Sequence, residues 1–90
     1  MHAAPETLDL IDDLLAAIRQ RAWLTERKRG IFYRKSAGWL HFHGKAGAIV
    51  ADLKVGRDWV RYPVNRKQDW PKLLAALDKG ASPNRGATES

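Results

Sequence analysis

Cysteine is absent from this chain of 90 residues, which excludes disulfide bonds and thiolate metal sites. No apolar run approaches the roughly 18 residues needed to cross a bilayer. The first six residues also lack the basic start of a signal peptide. We therefore expect no membrane partner and a cytoplasmic location. The fold must be held by packing of the hydrophobic residues, which make up 44% of the chain.

The length favours one domain, because a chain this short cannot bury two separate cores. Residues 1–80 carry the periodic hydrophobic pattern of a folded unit. Residues 81–90 are small and polar and show no period, so they cannot offset their own ordering entropy. We predict a single domain over residues 1–80 and a disordered C-terminal tail over residues 81–90.

The net charge of +6 is concentrated in the middle of the chain. Residues 19–67 contain 13 lysines and arginines but only 3 acidic residues. Such an excess favours an anionic partner, nucleic acid first, through steering and counterion release. The same excess also serves solubility, so charge alone leaves both interpretations open.

Two segments have the hydrophobic period of an amphipathic helix. Residues 6–21 repeat apolar side chains at intervals of three and four, with aspartates near the start and arginines near the end. Residues 68–80 carry Asp69 and Pro71 near their start and end at Gly80, which is a typical pattern of helix start and stop signals. We predict one helix in each segment. The polar, basic run between them, residues 25–30, is predicted to be a loop.

Between the helices the period changes to two, and short glycine-containing connections separate the runs. We predict four strands, at residues 31–35, 39–43, 48–55 and 58–64. The connections are short enough for hairpins, so the strands should form an antiparallel meander. The predicted fold is a two-layer α+β domain with the order α-β-β-β-β-α, in which both helices cover one face of the sheet.

Strand register follows from the lengths of the turns. A two-residue turn at Gly56 and Arg57 places Asp52 opposite Arg61, an oppositely charged cross-strand pair. A four-residue turn at residues 44–47 places Phe42 opposite Ile49 and Asp52 opposite Trp39. The register of the first hairpin is left open. Its three-residue turn would place inward-facing residues of one strand opposite outward-facing residues of the other, unless a β-bulge intervenes.

Side chains alternate along a strand, so Leu40 and Phe42 should enter the core while Trp39, His41 and His43 point away from it. This outward face is where we expect function. Its other predicted members are Val50, Asp52, Lys54, Trp59 and Arg61, with Phe32 and Arg34 at its edge.

Aromatic and basic side chains on an open sheet are typical of nucleic-acid binding, because aromatic rings stack on bases while cations contact phosphates. We predict that the protein binds RNA or single-stranded nucleic acid through this face. The predicted contact residues are Arg34, Trp39, His41, His43, Lys54, Trp59 and Arg61, together with Arg27, Lys28 and Arg29 at the margin.

Three alternatives remain open at this point. The face can serve protein interaction or homodimerisation, since aromatics and arginine anchor interfaces. His41 and His43, with Asp52, are candidate metal ligands, whereas His2 is set aside as too near the terminus. His41 beside Arg61 and Lys54 would also suit a metal-independent ribonuclease. No nucleophile or phosphate-binding loop is evident, so we assign no catalytic residue, lean against an enzyme and predict no cofactor.

Two resemblances accompany these patterns. Phe32-Tyr33-Arg34, the run Trp39-Leu40-His41-Phe42-His43, and Ala51-Asp52-Leu53 resemble a core pattern in small bacterial proteins to which no activity is attached. This resemblance implies a bacterial single-domain protein, but it implies no functional residues for this chain. A helix, an antiparallel meander and a closing helix is also similar to double-stranded RNA-binding domains. Those domains usually have three strands, and Asp69 and Trp70 stand where they carry basic residues.

Overall fold

The computed structural model describes residues 2–80, and within them an antiparallel sheet of five strands is flanked in sequence by helices. The α+β class and the meander are as predicted. The predicted C-terminal tail lies outside the described residues. The elements, in chain order, are α1 (Pro5–Leu10), α2 (Asp12–Arg19), β1 (Thr25–Lys28), β2 (Ile31–Arg34), β3 (Ala37–His43), β4 (Val50–Val55), β5 (Asp58–Pro63), a 3₁₀ turn (Lys67–Asp69) and α3 (Trp70–Gly80).

The predicted N-terminal helix is divided in two at Ile11, whose φ and ψ are −117° and 26°. Asp12 and Asp13 lie in the first turn of α2, where their charges favour a helix N-terminus. The hydrophobic stripe nevertheless continues across the break, because Ile11 is fully buried. Among the described residues, no helix has the length and apolar character required to span a membrane.

The predicted loop over residues 25–30 is wrong, because Thr25–Lys28 forms the edge strand β1. Glu26 pairs with Phe32 and Lys28 with Ile31, and the register shifts between Glu26 and Lys28. Gly30, with a φ of +79°, allows the tight return to β2. Charged side chains are depleted in strands generally but are common on edges, where they discourage pairing with other chains.

The predicted register between β3 and β4 is wrong by two residues. Phe42 pairs with Ala51 and His41 pairs with Asp52, so the connection runs over six residues, 44–49. A shift of two preserves side-chain parity, and both registers therefore bury the same residues. The predicted pairing of Asp52 with Arg61 across the β4–β5 turn is confirmed.

The first hairpin contains a β-bulge, and its turn has two residues rather than the predicted three, because Arg34 pairs with Ala37. Phe32 pairs with Leu40 but Tyr33 pairs with Gly38, which leaves Trp39 as the extra residue. Phe32 is 1% exposed and belongs to the core, so its predicted place on the outward face is wrong. The bulge changes which residues of β2 and β3 lie on the same face of the sheet, and the turn length alone does not determine this.

One hydrophobic core joins the helices to the inner face of the sheet. Leu40 and Phe42 are fully buried, as predicted from the alternation in this strand. Trp70 at the start of α3 donates a hydrogen bond from Nε1 to the carbonyl of Val64, at 2.9 Å. The core residues are Leu8, Ile11, Leu14, Leu15, Ile18, Phe32, Leu40, Phe42, Ile49, Ala51, Leu53, Val64, Leu73 and Leu77. The opposite face of the sheet is therefore the place to look for a site.

Candidate functional site

The outer face of the sheet, on the side away from the core, carries a group of polar and aromatic side chains on β3, β4 and β5. Strand pairing brings them together, because His41 lies opposite Asp52, which in turn lies opposite Arg61. Lys54 on β4 lies opposite Trp59 on the edge strand β5. We use the name outer face for His41, His43, Asp52, Lys54, Trp59 and Arg61.

All three histidines of the chain meet at one point on this face. The rings of His41 and His43 are 4.7 Å apart between centroids, and the ring of His2 lies 5.3 Å from His41 and 5.8 Å from His43. The N-terminal segment is held there by a hydrogen bond from the amide of Ala3 to the carbonyl of Phe42, at 2.9 Å. We call His2, His41 and His43 the histidine cluster.

Asp52 is the carboxylate at the centre of the outer face, and it is only 8% exposed. Arg61 donates to it through Nε and Nη2, at 2.9 and 3.3 Å, and Nε2 of His43 lies 2.9 Å from Oδ2. The hydrogen bonds from Arg61 are the main reason that the pKa of Asp52 is lowered, while its burial acts in the opposite direction. Asp52 is therefore held as a carboxylate with acceptor capacity on both oxygens.

Within the histidine cluster, His41 is also close to Trp59, whose ring centroid is 4.9 Å away. Burial, followed by the proximity of His43, lowers the pKa of His41 and favours its neutral form. Among the described residues, buried Nδ1 of His41 has no hydrogen-bond partner. A neutral imidazole with a free nitrogen lone pair can accept a proton, a hydrogen bond or a metal ion.

Trp59 on β5 is the exposed aromatic side chain of the outer face, with 46% of its surface accessible. The ammonium group of Lys54 lies 5.6 Å from its ring centroid, within the range of a cation–π contact. This arrangement offers a flat aromatic surface with a cation beside it.

A second aromatic and cationic pair lies on β1 and β2. The guanidinium of Arg27 is 4.3 Å from the ring centroid of Tyr33. The two residues border a groove between the N-terminal segment and the first two strands. The groove is lined by His2, Ala3, Pro5, Leu8, Arg27, Lys28, Arg29, Ile31 and Tyr33.

The other residues predicted for the site lie elsewhere. Trp39 packs against the hydrophobic core, and the guanidinium of Arg34 lies 5.1 Å from its ring and 5.3 Å from that of Trp23. The predicted position of Trp39 beside His41 and His43 is therefore corrected, because the bulge in β3 falls at this residue. Arg29 forms ion pairs with Asp9 and Asp12 of the N-terminal helices, although it also lines the groove.

Two residues of this region were missed by the sequence analysis. His2 was set aside because of its position in the chain, and the hydrogen bond from Ala3 that holds it to β3 has no signature in the sequence. Tyr33 was not chosen because the phase of the first hairpin was open. A signal for His2 did exist: the chain has 3 histidines, and two of them already point to the same face.

Comparison with protein-family models, with curated proteins and with solved structures gives no match for this chain.

Proposed function

We propose that this protein binds RNA or single-stranded nucleic acid across the outer face and the adjoining groove. The observation that carries the proposal is Trp59, an aromatic ring 46% exposed on an uncovered sheet and flanked by Lys54 and Arg61. Stacking of a base on such a ring contributes about 1 to 3 kcal/mol and tolerates any base. A cytoplasmic location and a bacterial origin, which both stay predictions, are compatible with this role.

The distance between the two aromatic sites suits a short stretch of single strand. Tyr33 lies on β2 and Trp59 on β5, three strand spacings apart. At about 4.8 Å per spacing this is roughly 14 Å. Stacked bases are about 3.4 Å apart along a strand, so the two rings are separated by about four nucleotide steps. The histidine cluster lies between them and offers imidazole nitrogens for hydrogen bonds to bases or sugars.

The charge of the surface favours the same ligand. Asp52, the carboxylate at the centre of the outer face, is already paired with Arg61, and the ammonium group of Lys54 lies beside Trp59. Arg27, Lys28 and Arg29 line the groove on the opposite side of the histidine cluster. Basic side chains on both sides of an aromatic surface are the arrangement that holds a phosphate backbone.

Fluorescence anisotropy with a labelled uridine decamer and a labelled thymidine decamer tests this proposal. We expect binding at low salt that weakens steeply as salt increases, because phosphate contacts release counterions. A labelled duplex of matched length should bind more weakly, since its bases are not free to stack on Trp59. Absence of binding to both single strands at low salt would remove the proposal.

Matched variants separate stacking from general attraction. Trp59→Ala should weaken binding by about 5-fold to 150-fold, which corresponds to the stacking contribution of about 1 to 3 kcal/mol. Val55→Ala is its control, because Val55 has the same exposure of 46% in the same hairpin. Lys54→Ala should reduce the salt dependence, whereas Lys79→Ala on α3 should not. If each variant and its control lost the same amount of binding affinity, the attraction would be nonspecific, and binding through the outer face would be contradicted.

Homodimerisation is a second function that a specific observation favours. Val55, Trp59 and Val60 in the β4–β5 hairpin are the exposed large hydrophobic residues of the sheet, and β5 is an edge strand. An edge with exposed apolar side chains can pair with a second copy of itself. Sedimentation analysis of the protein without oligonucleotide tests this alternative. A dimer that Val60→Lys converts to a monomer would support it, and a monomer at high concentration would exclude it.

A further inference from the structure

The histidine cluster and Asp52 together have the composition of a metal site. His41, His43 and Asp52 each offer one ligand atom, and these atoms lie within 4.8 Å of one another. His2 arrives from a separate segment of the chain and places a third imidazole beside the other two. The convergence of all three imidazole rings on one side of the sheet is not required by the packing of the core, which lies on the other side.

The distances are close to those of a coordination shell. Zinc binds imidazole nitrogen at about 2.0 to 2.1 Å and carboxylate oxygen at about 2.0 to 2.2 Å, so tetrahedral ligand atoms are roughly 3.3 Å apart. Nε2 of His43 and Oδ2 of Asp52 are already 2.9 Å apart. The longest separation in the group, 4.8 Å, must shorten by about 1.5 Å. His2 lies outside this group, so its exposed side chain must turn towards the other ligands to complete the shell.

The surroundings of the histidine cluster favour a bound metal ion. Nδ1 of His41 is buried without a hydrogen-bond partner among the described residues, and a buried polar atom in that state is costly. Imidazole nitrogen is a borderline donor, so three imidazoles with one carboxylate suit zinc and its neighbours rather than magnesium or calcium, which prefer all-oxygen ligands. Arg61 holds Asp52 from outside the cluster, as supporting residues commonly orient the ligands of a metal.

We propose that His41, His43 and Asp52, with His2 as fourth ligand, bind a divalent transition-metal ion of the zinc class. The proposal does not depend on nucleic-acid binding. Binding would join the N-terminal segment to β3 and β4 through the metal, in addition to the hydrogen bond between Ala3 and Phe42. The ion would therefore fasten the start of the chain to the centre of the outer face.

Titration of the untagged full chain with Co²⁺ tests this site, because four-coordinate Co²⁺ has visible absorption bands that six-coordinate Co²⁺ lacks in strength. We expect one equivalent of Co²⁺ per chain to give strong visible absorption, and Zn²⁺ to abolish it by displacement. Failure of the wild-type protein to bind either ion, or binding without the four-coordinate spectrum, would overturn the proposal.

Variants then assign the ligands. His43→Ala and Asp52→Asn should each lower Zn²⁺ affinity by at least about 10-fold, the minimum expected even for supporting residues. Val50→Ala, the cross-strand neighbour of His43, and Asp58→Asn, an exposed carboxylate of the next hairpin, should leave affinity unchanged. Equal affinity in the ligand variants and their controls would place any bound ion elsewhere.

His2→Ala provides a test that folding cannot confound, because this exposed residue precedes the first helix. It should weaken Zn²⁺ binding by at least about 10-fold and replace the four-coordinate Co²⁺ spectrum by a weaker one. Proteolysis gives a second readout: Zn²⁺ should slow cleavage of the N-terminal segment in the wild type but not in His2→Ala. Unchanged affinity and spectrum in His2→Ala would overturn its assignment as the fourth ligand.

Discussion

Nε2 of His43 lies 2.9 Å from Oδ2 of Asp52, although these residues are diagonal neighbours rather than partners in the strand ladder. The contact exists because Asp52 lies directly opposite His41, which makes it a diagonal neighbour of His43, two residues further along β3. In the register expected from a four-residue turn, Asp52 would lie opposite Trp39 and away from His43. The chemistry of the outer face therefore depends on the register between β3 and β4.

Side-chain alternation in β3 and β5 predicts opposite outcomes for two aromatic residues. Phe42→Ala should lower the free energy of unfolding by about 3 to 5 kcal/mol, because Phe42 is fully buried in the core. Trp59→Ala should lower it by less than about 1 kcal/mol, since Trp59 is 46% exposed. Urea unfolding followed by circular dichroism measures both. Similar losses in the two variants would contradict the assignment of the faces.

The alternating pattern predicted the meander and the faces of residues 40–43 and of β4, because period two is a direct consequence of strand geometry. Leu40 and Phe42 are buried as this pattern requires, and Asp52 lies opposite Arg61. The register between β3 and β4 was not predictable in this way. A shift of two residues keeps Phe42 and Ala51 in the core, so hydrophobicity does not distinguish the alternatives.

Two other features depend on long-range contacts that local sequence does not encode. The strand β1 carries charged residues whose partners lie elsewhere, such as Glu26, which accepts hydrogen bonds from Arg19 and the amide of Gly30. His2 joins the site through a backbone hydrogen bond of Ala3 to β3. Hydrophobic periodicity does not report either contact, and both were therefore missed.

The connection between β3 and β4 should be sensitive to a side chain at Gly44. Its φ is +97°, and a Cβ there would lie 2.2 Å from the carbonyl oxygen of Ala48. Gly44→Ala therefore combines backbone strain with a steric clash. We expect a loss of about 3 kcal/mol or more in the free energy of unfolding, above the roughly 1 to 2 kcal/mol of left-handed strain alone.

Gly47→Ala is the matched control for this prediction. Its φ is +87°, but a Cβ there meets no atom within 4 Å. We expect a loss of about 1 to 2 kcal/mol from backbone strain alone. Chemical denaturation of both variants gives the comparison. A Gly44→Ala variant as stable as Gly47→Ala would show that the six-residue connection is not closed as the structure has it.

Asn65 anchors the end of the β3–β4 connection through its side chain. Its Oδ1 accepts a hydrogen bond from the amide of Ile49, whose side chain is buried. Asn65→Ala leaves that amide without its acceptor and should cost about 1 to 3 kcal/mol of unfolding free energy. Asn65→Asp keeps an acceptor oxygen and should cost less. Hydrogen exchange at the Ile49 amide should accelerate in the alanine variant, and unchanged exchange would contradict the contact.

Glu26 should make the stability of the protein depend on pH below neutrality. The hydrogen bond from Arg19 is the largest cause of its lowered pKa, the amide of Gly30 adds to the effect, and burial opposes it. Since the folded pKa lies below the unfolded value of about 4.3, the stabilisation is complete above that pH. It is lost as pH falls through the folded pKa, because the protonated carboxyl no longer interacts as a charge.

Denaturation of the wild type and Glu26→Gln at several pH values isolates this contribution from the other carboxylates. The wild type should be the more stable at pH 7, because the glutamine lacks the charge that Arg19 and the Gly30 amide contact. The difference should shrink below about pH 4, where Glu26 becomes protonated and resembles glutamine. Glu6→Gln, an exposed residue of the first turn of α1, is the control. A difference between wild type and Glu26→Gln that stays constant with pH would show that Glu26 stabilises the edge strand through packing rather than charge.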